Sequence, residues 1–282
     1  MPLTTSKQML LDAQKGGYAV GAFNAENMEM VQAIIAAAEE LRAPVMIQTT
    51  PGTIKYAGVD LYYANVSAAA KNASVPVAIH LDHGNSYELA VQALRAGYTS
   101  IMIDGSQEVL EKNIAITKYV VSACAPCGVP VEGELGKVGG KEDDTEDSGV
   151  NYTDPEQAVR FVAETGVSSL AVGVGTAHGI YQTKPVLNVE LIAELRKVLA
   201  VPMVLHGASG LTDKDIRNCV SCGICKVNFA TELRIAFSDA VKEYLHQNPA
   251  VFDPKKYGAK AREAVKKQVM ERMKICGCDG KV

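Results

Sequence analysis

Several features that mark particular classes of protein are missing from this sequence. The 282 residues contain no run of about 18 apolar residues, the length that a membrane-spanning helix requires. Basic residues are not in excess: the net charge is -4, whereas nucleic acids and membrane surfaces attract proteins with basic patches. The segment MPLTTSKQML lacks a basic region followed by an apolar stretch, as a secretory signal would have. We therefore predict a cytoplasmic protein with no nucleic-acid or membrane partner.

Short apolar segments alternate with amphipathic helical patterns, such as 27–42 and 86–97, along the whole chain. Most of these segments are rich in aliphatic and β-branched residues throughout, as strands buried on both faces should be. Several of the helical patterns end at a glycine or at a proline that opens the next segment. The eight predicted strands are 18–24, 44–49, 76–81, 99–104, 129–135, 168–175, 202–207 and 224–228.

Strand–helix alternation repeated eight times predicts an α/β fold in which a parallel sheet closes into a (β/α)8 TIM barrel. Such a barrel takes about 250 residues, so a single domain over residues 1–282 fits the length. An open doubly wound sheet is the alternative, but the first strand–helix turn, FNAENME, carries no glycine-rich dinucleotide motif. Two helices are expected after the last strand, at about 230–246 and about 258–275, and the second is additional to the barrel.

The number of cysteines is odd, which favours free thiols over a framework of disulfide bonds. Cys219, Cys222 and Cys225 form the string CVSCGIC. Their spacing allows a structural zinc or an iron–sulfur cluster, or simply small buried side chains. We favour buried thiols, because this group precedes a predicted strand and so lies at the end of the barrel away from the chemistry.

Polar residues occur at the carboxyl ends of all the predicted strands, where a TIM barrel carries its active site. A barrel with a purely structural role has no reason to direct so many groups that are costly to desolvate at one rim. These residues are Asn24, Thr49, Thr50, Asp82, His83, Asp104, Glu134, Gly175, His178, His206, Gly207 and Asn228.

Histidine is scarce, and three of the five histidines follow predicted strands. Each of His83, His178 and His206 alone could be an ordinary loop histidine that makes a hydrogen bond. Together at one rim they predict a catalytic metal centre, because three protein nitrogens with an open fourth position are typical of catalytic zinc. His80 lies inside a strand, and alternation points it away from His83, so we interpret it as a packed residue or a supporting one.

Carboxylates at the same rim have several possible roles. Asp82 directly precedes His83, which suits a general acid or base beside the ion. Asp104 and Glu134 could hold a second ion or orient the histidines, or they could simply be buried and hydrogen-bonded. The polar, glycine-rich segment 137–151 predicts a mobile loop over the site, and its acidic run could swing in with substrate.

Glycine-rich turns after the late strands predict a phosphate site. The strings GVGTAHG (173–179), HGASG (206–210) and NFAT (228–231) each follow a strand. Glycine lets the backbone approach an anion, and the free N–H groups of a helix start favour negative charge. TIM barrels frequently bind phosphate at the loops after strands seven and eight.

Taken together, these strings resemble the class II, metal-dependent ketose-bisphosphate aldolase family, and the resemblance spans almost the whole chain. Within the family the sequence is most similar to tagatose-1,6-bisphosphate aldolases, from ATEL (230–233) and the ending CGCDGK (276–281). It departs from several of those relatives at Gly84, where they carry a second histidine. The matching strings are AFN (22–24), HLDHG (80–84), MIDGS (102–106), EGELGKVGGKEDD (132–144), GTAHGIY (175–181), LHGASG (205–210) and KVNFATEL (226–233).

The resemblance implies Zn²⁺ on His83, His178 and His206, and a second or alternate metal position near Asp104 and Glu134. It implies that Asp82 exchanges the proton of the C4 hydroxyl and that Glu142 abstracts the C1 proton of dihydroxyacetone phosphate in the condensation direction. A Na⁺ or K⁺ ion could accompany the C1 phosphate. The implied substrate-binding residues are Asn24, Thr50, Gly179, Gly207, Ala208, Ser209, Asn228, Ala230, Thr231 and, for the far phosphate, Arg234.

The implied reaction is reversible cleavage of a ketose 1,6-bisphosphate to dihydroxyacetone phosphate and glyceraldehyde 3-phosphate. Ala230 favours tagatose 1,6-bisphosphate, because fructose-1,6-bisphosphate aldolases of this class tend to carry Asp or Asn there, and fructose 1,6-bisphosphate is the alternative. Two further alternatives are a metal-dependent hydrolase and a non-catalytic sugar-phosphate-binding subunit. The first would need additional ligands, and the second has no need of Asp82. A homodimer or homotetramer, with or without a non-catalytic partner subunit, is expected.

Overall fold

Eight parallel strands close into a barrel in the structure, a computed structural model that describes residues 3–142, 145–147, 151–179 and 185–282. Around the barrel the order is β1-β11-β10-β8-β5-β4-β3-β2, and β1 pairs with both β2 and β11, so this sheet has no free edge. The strands are β1 (Val20–Asn24), β2 (Val45–Thr49), β3 (Val77–Gly84), β4 (Ser100–Ile103), β5 (Val131–Leu135), β6 (Gly139–Glu142), β7 (Thr145–Asp147), β8 (Ser169–Val172), β9 (Ala177–His178), β10 (Met203–Leu205) and β11 (Ile224–Phe229).

Each barrel strand coincides with one of the eight predicted strands, so the predicted TIM barrel is confirmed. The strands are recognisable because most of their residues are buried on both faces, against the barrel interior or the outer helices. The helices are α1 (Ser6–Gly16), α2 (Met28–Leu41), α3 (Pro51–Ala57), α4 (Val59–Ala70), α5 (Tyr87–Ala96), α6 (Leu110–Cys124), α7 (Pro155–Thr165), α8 (Val189–Val198), α9 (Asp213–Ser221), α10 (Thr231–Gln247) and α11 (Pro254–Cys276).

The predicted additional C-terminal helix is α11, which packs on α2 and α10. Its buried residues Ala261, Val265, Val269 and Met273 recur every four positions and so form one apolar stripe. Asp253 caps the helix start by accepting a hydrogen bond from the Lys255 N–H, and Pro254 occupies the first turn, where a missing N–H costs nothing.

Strand β3 contains an irregularity that turns its end towards the barrel mouth. Its register with β4 shifts between Leu81 and Gly84, and His83 has a φ of 47°, which is rare for a residue with a side chain. A Cβ at Gly84 would overlap the carbonyl oxygen of Met102. The departure from the tagatose-type pattern therefore fits this backbone, which has no room for a second histidine at 84.

The segment 137–151, predicted as an irregular loop, contains the short antiparallel pair β6 and β7. Strand β6 also pairs in parallel with β9, so that Gly140 lies opposite His178. Gly140 has a φ of 92°, and a Cβ there would overlap the His178 carbonyl oxygen. Only glycine lets the two segments approach this closely.

Within the described parts of the chain, no helix combines the length and the apolar character that crossing a membrane requires. The described residues also include no cysteine in any group able to hold a metal ion. Cys219 is fully buried, and this burial raises the pKa of its thiol to about 12. The interpretation of this cysteine as a small buried side chain agrees with its surroundings.

Candidate active site

A cleft with about 280 Å³ of open space lies at the carboxyl ends of the barrel strands. Every residue that lines it belongs to the set of site residues predicted from the sequence. They come from the ends of β1, β3, β9 and β11 and from the turn after β10. The lining residues are Asn24, Asp82, His83, His178, Gly179, Gly207, Ala208, Ser209, Asn228, Ala230 and Thr231.

Three histidine rings meet beside this cleft: His83 and His178 line it, and His206 is fully buried against His83. The ring of His83 contacts His178 and His206 edge-on, with centroid distances of 4.9 Å and 4.5 Å. One ring nitrogen from each of the three lies within 4.8 Å of those of the other two. Three separate segments, the irregular end of β3, the short strand β9 and the turn after β10, thus deliver imidazoles to one point.

Carboxylates orient two of these rings from behind. Asp104 Oδ2 lies 2.8 Å from His83 Nδ1, and Asp104 is itself fixed by the Ser106 N–H. Glu132 Oε1 lies 3.0 Å from His206 Nε2. Glu134 Oε2 is 3.3 Å from His206 Nδ1. Such carboxylate–histidine contacts are typical of the shell around a metal site.

Several buried polar atoms at this point make no hydrogen bond of acceptable geometry, namely His83 Nε2, His206 Nδ1 and Glu134 Oε2, although the last two lie only 3.3 Å apart. Unpaired buried polar atoms are rare in folded proteins, because each costs about 1–3 kcal/mol, so a cluster of them calls for a ligand. Two imidazole nitrogens and a carboxylate oxygen are donors that zinc and other divalent metals accept. The residues present therefore fit a metal ion held by His83, His178 and His206. His83, Asp104 and Glu134 form a second, overlapping group of this kind.

The surrounding charges favour a cation at the same point. Burial alone lowers the pKa of His83 and His206, but the nearby carboxylates outweigh it. The pKa of His83, beside Asp82 and Asp104, lies well above its ordinary value. The pKa of His206, beside Glu132 and Glu134, rises to about 9. The same negative potential would stabilise a metal ion in place of these protons.

Asp82 lies buried at the edge of the cleft, 1% exposed, in a cradle of amide side chains. Asn228 Nδ2 donates to its Oδ1 at 2.9 Å, and Gln48 Nε2 donates to its Oδ2 at 3.1 Å. Gln48 also holds Asn24 by donating to Oδ1 at 2.7 Å. Burial raises the pKa of Asp82, but the charges of His83 and His206 outweigh it, so its pKa is lowered. Asp82 is therefore an ionised carboxylate, held in place by two amides, that lines the cleft and can accept a proton.

Part of the cleft is lined by the turn after β10 and by the start of α10. Gly207 has a φ of 64°, and a Cβ there would lie 2.6 Å from the Ala177 carbonyl oxygen. The Ala230 N–H donates to Ser209 Oγ, and Ala230 also precedes helix α10 without a side chain that could cap it. Thr231 begins that helix. Uncapped N–H groups at a helix start favour a bound anion.

Two predicted site residues have their side chains engaged elsewhere. Thr50 is buried and caps α3, where its Oγ1 accepts from the Thr53 N–H. Arg234 pairs with Glu26, whose Oε1 lies 2.8 Å from Nε and 2.6 Å from Nη2. Neither residue lines the cleft. Glu142 is the last residue of β6, and its side chain lies outside the described part of the structure.

Sequence reasoning did not identify three residues that support the site, Gln48, Glu132 and Glu26, and it interpreted Lys226 only as a buried, paired residue of the last strand. Gln48, Glu132 and Lys226 are buried on barrel strands, where each stands among apolar neighbours. A polar residue within an otherwise apolar parallel strand is the signal that could have found them, because burying it without a partner is costly. Glu26 has no such signal, since it lies in a polar turn.

Comparison with protein families decides the family of this chain. Residues 4–281 match the model of the class II fructose-bisphosphate aldolases. The chain belongs to this family. It is therefore a lyase that cleaves carbon–carbon bonds, and the family implies sugar-phosphate substrates and products and a dependence on a metal ion.

Similar solved structures agree with this class II aldolase assignment. The YdjI aldolase from Escherichia coli K12 is 38% identical with a TM-score of 0.88, over 99% of this chain and 99% of that one. A putative fructose-1,6-bisphosphate aldolase from Coccidioides immitis is 30% identical with a TM-score of 0.88, over 97% and 96%. The fructose-bisphosphate aldolase from Campylobacter jejuni is 26% identical with a TM-score of 0.84, over 100% and 97%.

Proposed function

We propose that this class II aldolase uses zinc to cleave a ketose 1,6-bisphosphate reversibly, with tagatose 1,6-bisphosphate preferred. The products are dihydroxyacetone phosphate and glyceraldehyde 3-phosphate. The observation that carries the proposal is the meeting of three imidazoles, two of which line the same cleft as Asp82. Three histidines, His83, His178 and His206, hold the ion, which supplies Lewis-acid stabilisation of charge on the substrate oxygens. Asp104 and Glu134 offer a second or alternate position for it.

In the cleavage direction, Asp82 takes the proton of the C4 hydroxyl. C4 then becomes the aldehyde carbon of glyceraldehyde 3-phosphate, and the electron pair of the C3–C4 bond stays on the other half. Glu142 returns a proton to that half to complete dihydroxyacetone phosphate. The cradle of Gln48 and Asn228 supports this role of Asp82, because both amides donate and leave the carboxylate as an acceptor.

The C1 phosphate binds, in this proposal, at the wall formed by the glycine-rich turns and the start of α10. Backbone N–H groups there match an anion, and a Na⁺ or K⁺ ion accompanies the phosphate. Asn24 and Ala230 flank the sugar, and Arg234 serves the far phosphate after leaving Glu26. The residues assigned to the C1 phosphate are Gly179, Gly207, Ala208, Ser209, Asn228 and Thr231.

Glu142 can be tested apart from bond cleavage. Glu142→Ala should slow the exchange of the C1 proton of dihydroxyacetone phosphate with solvent by a factor on the order of 10²–10⁴, because a positioned acid or base is lost. Exchange is followed by NMR in deuterated water. The neighbouring acid in the same strand pair supplies the matched control, since Glu146→Ala should exchange at the wild-type rate. Equal exchange in Glu142→Ala and wild type would place the acid elsewhere.

Substrate preference is tested by the C4 epimers. Tagatose and fructose bisphosphates share their phosphates and the metal-binding oxygens, so discrimination falls to groups beside the C4 hydroxyl, such as Ala230. The side chain of Ala230 offers no hydrogen bond to the C4 hydroxyl. We therefore expect kcat/KM for tagatose 1,6-bisphosphate to exceed that for fructose 1,6-bisphosphate by about 10–100-fold, with measurable fructose turnover. A chelator should abolish both activities.

Fructose 1,6-bisphosphate is the second candidate substrate, which the names of the Coccidioides and Campylobacter proteins favour. A higher kcat/KM for fructose 1,6-bisphosphate would overturn the tagatose assignment and leave the aldolase intact. The proposal also includes a single domain over residues 1–282, a cytoplasmic location, and a homodimer or homotetramer.

A further inference from the structure

Lys226 lies inside the barrel, below the histidine cluster, and is fully buried. Its Nζ is 2.9 Å and 3.1 Å from the two oxygens of Glu132 and 3.3 Å from His80 Nε2. A buried lysine costs stability unless it is paired, and the chemistry proposed above does not use it. Lys226 therefore begins two hydrogen-bond paths, one through Glu132 and one through His80.

The first hydrogen-bond path runs from Lys226 through Glu132 to His206. An ammonium group has donors only, so both Glu132 oxygens accept from it. Oε1 also lies 3.0 Å from His206 Nε2. That ring nitrogen must then carry a hydrogen and donate, which leaves His206 Nδ1 as the atom able to offer a lone pair to a metal. Nδ1 lies 3.3 Å from Glu134 Oε2 and makes no hydrogen bond.

The second hydrogen-bond path runs from Lys226 through His80 to Ser100 and does not reach the proposed metal ligands. Because Lys226 donates to His80 Nε2, the hydrogen of that imidazole sits on Nδ1, which lies 2.7 Å from Ser100 Oγ. Ser100 Oγ in turn lies 2.8 Å from the hydroxyl of Ser6 on α1. Burial and the nearby Lys226 lower the pKa of His80 to about 3, so this imidazole is neutral. None of the hydrogen bonds in this second path involves His83, His178 or His206.

We propose that Lys226 is a positioning residue that, through Glu132, fixes which ring nitrogen of His206 faces the metal. The inference rests on the proposed zinc function, and it adds a requirement that no strand-end residue supplies. Ser169 Oγ, 3.4 Å from Glu132 Oε2, is a weaker second contact on the same carboxylate. Without Lys226, Glu132 loses the donor that commits both of its oxygens to accepting, and His206 loses its fixed orientation.

The test is the zinc dissociation constant of purified protein, measured by competition with a chromophoric chelator. Lys226→Met removes the donor at similar length and should weaken zinc binding by about 10–100-fold, the usual cost of losing a support of a metal ligand. Ser100→Ala removes a hydroxyl that is also buried, but it interrupts only the second path, at His80. This variant should bind zinc as wild type does. Glu132→Asp keeps the pair with Lys226 but withdraws from His206, so it should weaken zinc binding in the same range.

Ring ¹⁵N shifts of His206 in the zinc-loaded protein supply a second readout, because they report which nitrogen bears the hydrogen. Zinc affinity of Lys226→Met within about twofold of wild type would overturn the inference whatever Glu132→Asp does, as would an equal loss in Ser100→Ala. If Lys226→Met does not fold, Lys226→Leu, which also removes the donor, takes its place under the same criterion. Failure of the wild-type protein to bind zinc would instead refute the proposed function.

Discussion

His206→Ala is expected to remove most of the bound zinc and most of the aldolase activity. The side chain is fully buried, and its Nδ1 is one of the buried atoms that lack a partner at the cluster. Loss of an outer support of a metal ligand typically costs about 10–100-fold in affinity, so loss of the ligand itself should cost more. Glu132 and Glu134 would also lose the imidazole that lies between them. Zinc content per protein chain and turnover are the two measurements.

His246→Ala is the matched control, because His246 is exposed in the last turn of α10, far along the helix from the cleft. It should keep the zinc content and turnover of wild type. Circular dichroism of the His206 variant checks that the barrel remains folded. Full zinc content in folded His206→Ala would show that the ion is held by another group, and the overlapping set with Asp104 and Glu134 would then be the place to look.

The barrel could be predicted because its strands carry an unusually simple pattern. In β4 and β10 every residue is buried and nearly all are apolar, so such runs mark both the strands and their parallel arrangement. What the pattern could not show is the end of β3. Alternation places Asp82 and His83 on opposite faces, yet both line the cleft, because the strand shifts register and His83 takes a positive φ.

The site divides in the same way. Residues at strand ends could be predicted, since topology alone brings the ends of parallel strands to one rim. Residues within the barrel could not, because their roles depend on contacts across the interior: Lys226 on β11 reaches Glu132 on β5 and His80 on β3. The sequence also could not show which predicted site residues have side chains that bind a neighbouring residue instead of lining the cleft. Thr50 caps a helix and Arg234 pairs with Glu26, and neither contact follows from the sequence.

Asp82→Ala should cut turnover by a factor on the order of 10²–10⁴, the usual contribution of a positioned acid or base, while zinc remains bound. The separation of the two effects follows from the geometry. Asp82 accepts from Asn228 and Gln48 on the side of the cleft and belongs to neither group of metal-binding side chains. Its removal therefore takes away a proton acceptor and leaves the three imidazoles in place.

Two further variants separate chemistry from packing. Asp82→Asn keeps the volume but cannot take up the C4 proton, and its amide would turn an N–H towards the donors of Gln48 or Asn228, so its loss of turnover should match that of Asp82→Ala. Asp60→Ala, at an exposed position of α4, should leave turnover unchanged. All rates are measured at saturating substrate, so that weaker binding does not imitate lost chemistry. Turnover of Asp82→Asn within about tenfold of wild type would refute the acid–base role, because an amide fills the space of the carboxylate but cannot take up the C4 proton.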